Sequence, residues 1–267
     1  MKHVLTIAGS DSCGGAGIQA DLKAFSAMGV YGMSVVSALT AQNTVGVKAV
    51  SLVDPAFVAA QLDAVFEDIR VDAVKIGMLG SRAIIGAVAD FLRTRRPPIL
   101  VLDPVMISKS GHALLPPDAV RALGEELLPL ASVLTPNLPE AGALLGRGVE
   151  DEAGALQAAR DLLALGPSAV LLKGGHLPGE PADLLVTPRG VTRFPGLRID
   201  TPHTHGTGCS LASALTALLA RGVPLESAVE KAKAYVAEGI RHGIALGKGH
   251  GPIHHFYGLY GGEESRL

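Results

Sequence analysis

The chain has 267 residues, of which 48% are apolar and 18% charged, and its formal net charge is −2. That balance offers no basic face for nucleic acid or an anionic membrane surface. No apolar run reaches the ~18 residues of a membrane span, and two cysteines, Cys13 and Cys209, make neither a disulfide framework nor a zinc quartet.

The length suits one large α/β domain or two small ones. With no repeat, low-complexity linker or composition break, a single domain over 1–267 is expected. The opening "MKHVLTIAGSD" has too brief an apolar run for a signal peptide, so a reducing cytoplasm is the expected setting. Aromatics are 4% and Trp is absent, so a flat ligand would pack mostly on aliphatic and Met side chains.

In chain order, short β-branched runs alternate with longer Ala/Leu-rich periodic segments. Residues 3–9 read as a buried strand and 16–28 as a helix stopped by Gly29. Residues 34–40 form a second strand. Asp54 as cap and Pro55 in the first turn open a helix over 54–68. Further strands are expected at 73–79, 98–105, 132–137 and 169–175, with helices near 81–94, 116–130, 139–145 and 152–165. Leu211, Ala214, Leu215, Leu218 and Leu219 make one helical stripe, closed by Arg221-Gly222. A last helix starts at Pro224. The alternation predicts an α/β fold with a mostly parallel sheet covered on both faces.

Several segments carry chemistry. In "HTHGTGC" (203–209), Gly206 and Gly208 let successive N–H groups converge at a helix start, where orphan donors and the dipole favour an anion. The bland alternative is a glycine turn with Thr or Ser as cap. A thiol placed there should have a lowered pKa, so Cys209 becomes a candidate proton acceptor. His205, four residues earlier, is a weaker candidate partner for it, because no third orienting group is apparent. Gly15-x-Gly17-x-x-Ala20 matches a dinucleotide fingerprint by letter, but an insert precedes it and the second strand lacks the ribose-binding acid. Asp21 reads by itself as a surface carboxylate. Asp103 ends a buried strand where open α/β sheets bind ligands. Asn137 and Glu140 fit a capping box, and Lys173 ends another strand. Together these suit phosphoryl transfer: carboxylates for Mg²⁺, a cation for phosphates, and N–H donors for developing charge.

The stretches "GSDSCGGAGIQADLKAFSAMG", "TAQNTVGV", "KIGML", "LDPVMISKSG", "LTPNLPEA", "LLKGGH", "THGTGC" and "GHGPIHH" together resemble the bacterial hydroxymethylpyrimidine/phosphomethylpyrimidine kinases of thiamin biosynthesis, in the ribokinase-like superfamily. The resemblance runs from residue 9 to 255. It implies a three-layer α/β/α sandwich, a homodimer, and two successive ATP-dependent phosphorylations of 4-amino-5-hydroxymethyl-2-methylpyrimidine, with pyridoxal kinase as the nearest alternative. It places the pyrimidine among Ala16, Asp21, Gln42, Met78 and Val105, with Asp21 and Gln42 bonding the ring. By the same resemblance, Cys209 is the base and the amides of Gly206, Thr207, Gly208 and Cys209 hold the transferred phosphoryl group. Asp103 and Glu140 would hold Mg²⁺, while Asn137, Lys173, Thr207 and Lys233 would serve ATP. Residues 106–111 would cover the site as a flap carrying Lys109. Cys13 departs from the family pattern and reads as structural.

Overall fold

The computed structural model describes residues 1–107, 111, 114–149, 151–174, 182–196 and 198–260. Its framework is a nine-stranded sheet in the order β3-β2-β1-β4-β5-β6-β7-β8-β9. The strands are β1 (His3–Asp11), β2 (Tyr31–Gln42), β3 (Val47–Leu52), β4 (Ala73–Ile76), β5 (Leu100–Leu102), β6 (Val133–Leu134), β7 (Val170–Leu172), β8 (Ala182–Thr187) and β9 (Gly190–Pro195). The six from β2 to β7 in that order are parallel. β3, β8 and β9 add antiparallel edges. The mostly parallel sheet expected from the β-α alternation is therefore present.

Side-chain alternation sorts the two faces. Leu5, Ile7, Val74, Ile76, Leu100 and Leu102 pack on one face with α2 (Pro55–Asp68), α3 (Arg82–Arg95), α4 (Pro117–Ala122), α5 (Leu138–Leu145) and α6 (Glu152–Ala164). On the other, Val4, Val101, Val133 and Leu171 meet α1 (Gly17–Ala27), α7 (Thr207–Ala220) and α8 (Leu225–Arg241). This is the three-layer α/β/α sandwich, completed by a short α9 (Tyr257–Tyr260).

The strand at 34–40 is longer than its apolar pattern, extending over Tyr31–Gln42. The helix expected over 116–130 is broken: α4 ends at Ala122, a π-turn covers Leu123–Leu127, and a 3₁₀ turn covers Leu128–Leu130. Gly124 and Pro129, which lacks an N–H, weaken the regular ladder there. α7 is buried nearly all round, not along one stripe, because α1, α8 and the sheet all pack against it. Its polar members Ser213 and Thr216 bond Asp21 and the Ala212 carbonyl, so no buried hydroxyl is left idle. Strands β3, β8 and β9 escape the apolar pattern: β3 is almost wholly exposed, as is β9.

Candidate active site

The parallel strands all deliver their carboxyl ends to one edge. Gln42 is the last residue of β2 and Asp11 the last of β1. Met78 lies two residues beyond β4, Asp103 one beyond β5, Asn137 three beyond β6 and Lys173 one beyond β7. Open α/β sheets bind ligands in this place. Here it holds a cavity of about 510 Å³, lined by all six of these residues together with Ala16, Val105, Glu140 and the whole 204–209 segment.

α7 points its N-terminus into that cavity. Gly206, its cap residue, has φ +80° and makes no side-chain cap. Thr207 turns its hydroxyl back to the Thr204 carbonyl. The Thr207 N–H leans on the same carbonyl at 3.4 Å, whereas the Gly208 and Cys209 amides have no acceptor among the described residues and keep their donors for something outside the chain, as an anion site requires. The positive φ demands glycine, and so does the space: a Cβ on Gly206 would stand 1.7 Å from the Gly15 carbonyl oxygen. The loop before α1 and the loop before α7 are pressed face to face.

A side-chain clasp holds them so. His205 Nε2 bonds Asp11 Oδ2 at 2.8 Å, and the same carboxylate accepts from the N–H groups of Cys13, Gly15 and Ala16 at 2.8–3.0 Å. Burial opposes the charge on Asp11, but the His205 bond and these amides prevail and hold its pKa down at about 2. His205 thus partners Asp11, not Cys209. Gln42 reaches His205 at 3.3 Å. Asp11, Cys13 and His205 carry donor atoms within 4.8 Å of one another, yet the Asp11 oxygens a cation would need are already occupied. Cys13, which bonds Asp11 through both N and Sγ, belongs to this clasp. Neither Asp11 nor its bond to His205 was anticipated from sequence. The signal available was a carboxylate at a strand end followed by a glycine loop.

Across the cavity, Lys173 Nζ lies 2.8 Å from Asp103 Oδ1 and 3.8 Å from Glu140 Oε2. Asn137 and Glu140 form the expected capping box at the start of α5: Glu140 N donates to Asn137 Oδ1 at 2.9 Å, and Asn137 N to Glu140 Oε2 at 2.8 Å. Capping and a site role are compatible, since both side chains also face the cavity. Burial pushes the Glu140 carboxyl up to about 7, with Lys173 opposing and the Asp103 charge adding to the rise.

Three expectations are corrected. Asp21 does not reach the cavity. It is fully buried, and its two oxygens accept from Lys75 Nζ at 2.9 Å each, from Thr6 Oγ1 at 2.7 Å and from Ser213 Oγ at 2.7 Å. With those acceptors filled, it cannot also bond a ring. Lys75, overlooked in the sequence, takes its place on the cavity wall. Lys233 is likewise off the wall: it pairs with Asp183, whose other oxygen takes the Gly174 N–H at 2.9 Å, so it steadies the strand end carrying Lys173. Finally, the Cys209 thiol is not lowered. Burial pushes it up to about 11; Lys75 pulls it down, Asp21 and Asp103 push it up, and the Gly17 N–H pulls it down. The helix start is too desolvated for its dipole to win. Lys109 lies outside the described residues, as does part of the 106–111 segment.

The fold and site are those of a small-molecule kinase of the ribokinase-like type: a helix start without a side-chain cap, a lysine flanked by two carboxylates, and a cavity along one sheet edge. The family model for phosphomethylpyrimidine kinase matches residues 11–254, and the chain belongs to that family. The hydroxymethylpyrimidine/phosphomethylpyrimidine kinase of Rhizobium meliloti is 55% identical over 257 residues, covering 95% of this chain and 96% of the relative. Among solved structures, phosphomethylpyrimidine kinase from Clostridium difficile 630 is 47% identical with a TM-score of 0.81, over 89% of this chain and 99% of that one. An ADP complex of Bacillus subtilis pyridoxal kinase is 38% identical with a TM-score of 0.89, over 96% and 97%.

Proposed function

We propose that the protein phosphorylates the hydroxymethyl group of 4-amino-5-hydroxymethyl-2-methylpyrimidine and then the resulting monophosphate, using ATP, in thiamin biosynthesis. The observation that carries this reading is the uncapped α7 start, with Cys209 in its first turn, opening on the same cavity as Lys173, Asp103 and Glu140. The higher identity to pyrimidine kinases than to pyridoxal kinase favours the pyrimidine as main substrate.

In this reading the ring lies between Ala16, Met78 and Val105, with Gln42 bonding its edge. Cys209 takes the hydroxyl proton while the hydroxyl oxygen attacks the γ-phosphorus and ADP leaves. The amides of Gly206, Thr207, Gly208 and Cys209 hold the phosphoryl oxygens, and Lys173 and Asn137 hold the nucleotide phosphates. Asp103 and Glu140 suit Mg²⁺, which is held by few carboxylates and several waters; when bound it would neutralise phosphate charge. Burial makes the sulfur rarer as thiolate but more basic in that form. The second acceptor is already an ionised phosphate, so that step leans less on a base.

³¹P NMR of protein, Mg-ATP and the pyrimidine alcohol should show the monophosphate and then the diphosphate; no ATP-dependent product would reject the proposal. Comparing kcat/KM on the pyrimidine and on pyridoxal tests the substrate preference. A cytoplasmic homodimer is part of the same proposal. Among the described residues no helix is long and apolar enough to cross a membrane, and Leu39, Leu52 and Phe57, near the β2–β3 edge, are exposed. Light scattering checks the dimer.

A further inference from the structure

Gln42 is pinned at the end of β2 by backbone and side chain alike. Its N–H donates to Ser12 Oγ at 2.9 Å, and its carbonyl accepts from the same hydroxyl at 2.8 Å. At the side chain, Nε2 stands 3.3 Å from His205 Nε2, and Oε1 stands 3.2 Å from Thr40 Oγ1. Both contacts are mismatched in hydrogens. The Asp11 carboxylate, ionised with its pKa held at about 2, can only accept. The His205 Nε2 that lies 2.8 Å from it therefore carries the ring proton and cannot accept from an amide N–H. The single hydroxyl proton of Thr40 goes to the Ser10 carbonyl at 2.9 Å, which is also an acceptor only. Thr40 Oγ1 then turns a lone pair to the amide oxygen.

One half-turn of the amide repairs both contacts. Oε1 then shares the His205 Nε2–H with Asp11, as a three-centre bond, and Nε2 donates to Thr40 Oγ1. The two ends of an amide have the same shape, so the turn changes no packing. We propose that Asp11 is a positioning residue: through His205, and with Thr40 on the other side, it fixes the sense of the Gln42 amide, oxygen toward His205 and nitrogen toward Thr40, and so sets which ring edge the cavity accepts. The choice of ligand rests on the kinase reading; the sense of the amide does not.

A terminal amide has two acceptor sites and two N–H donors. Among the described residues, His205 and Thr40 engage one of each. One acceptor and one donor remain side by side on the cavity that Gln42 lines. They match an exocyclic amine beside a ring nitrogen, the edge of a 4-aminopyrimidine, and in one order only: amine at the His205 end, ring nitrogen at the Thr40 end. Pyridoxal carries no such pair. An amide free to turn would swing to water when the ring did not suit it. A held amide leaves its oxygen stranded against a ring that lacks the amine, and stranding a polar group costs more than making its bond gains.

The test has two parts. ¹H–¹⁵N NMR of the free wild-type protein reads the His205 ring. A proton on Nε2 is expected, and a bare Nε2 would overturn the proposal; this part needs neither ligand nor turnover, so it stands even if the kinase reading fails. The second part is calorimetric binding, without nucleotide or Mg²⁺, of 4-amino-5-hydroxymethyl-2-methylpyrimidine and of the same ring lacking the amine. The wild type should prefer the amine by about tenfold. The double variant His205→Met/Thr40→Val removes both amide partners at similar volume, and the preference should fall below about threefold. The double variant His205→Gln/Thr40→Ser restores an N–H and a hydroxyl in the same places and should keep the preference. A preference that survives in the first variant, folded, or that is lost equally in both, would overturn the proposal. Binding of neither ring by the wild type would overturn the ligand reading, and the NMR result would still decide the amide.

Discussion

Replacing Gly206 by alanine separates the two demands this position meets. The first is conformational. Its φ of +80° costs an L-residue about 1–2 kcal/mol. The second is contact: the added Cβ would stand 1.7 Å from the Gly15 carbonyl oxygen, where ordinary contact begins at 3.4 Å. Meeting that limit requires the α1 and α7 loops to part by about 1.7 Å, with the Asp11–His205 clasp resisting. A shift of ~1 Å at a catalytic centre costs on the order of 10²-fold. Gly222 isolates the first demand, for its φ is +84° and nothing lies within 4 Å of its Cβ position. Gly222→Ala should therefore lower Tm by about 2–8 °C and leave turnover unchanged. Gly206→Ala should lower Tm further and cut kcat/KM by about 10²-fold or more. Differential scanning fluorimetry and a coupled ADP-release assay measure both. If the two variants behave alike, the close loop contact does not matter and the cradle has been misread.

Three further outcomes follow from the site. Cys209→Ala should fold, bind the ring, and lose about 10²–10⁴-fold in the first phosphorylation, with a smaller loss in the second; equal losses would refute the argument about the ionised acceptor. Asp11 has a folded pKa of about 2, below the ordinary 3.8. Its stabilisation, about 2 kcal/mol, is thus present above pH 4 and lost as pH falls toward 2. Asp11→Asn should be less stable in urea at pH 7, and the difference should vanish in acid; a gap that persists at pH 2 contradicts the assignment. The Glu140 carboxyl is pushed up to about 7, so its acid form competes with a cation. The Mg²⁺ requirement of the wild-type enzyme should fall steeply from pH 6 to 8, and Glu140→Gln should flatten that dependence. A parallel pH response in the variant would remove Glu140 from the metal site.

The local sequence by itself determined the alternation of elements, the mostly parallel sheet, and the positions that would meet at one edge. Asp103, Asn137 and Lys173 were legible because each stands at or just past a β-branched run, whereas Gln42 was named only through the family resemblance. Gly206 to Cys209 were legible because two glycines precede an apolar helix. Those signals are local, written within a few residues by periodicity and capping. The tertiary structure decided the rest, because it depends on groups far apart in the chain. Asp11 meets His205 across 194 positions, and Asp21 meets Lys75 across 54 and Ser213 across 192. No spacing rule announces such pairs. The same holds for the Cys209 thiol: a helix start argues for a low pKa, and only the depth of burial, set by three layers closing over the sheet edge, reverses the sign.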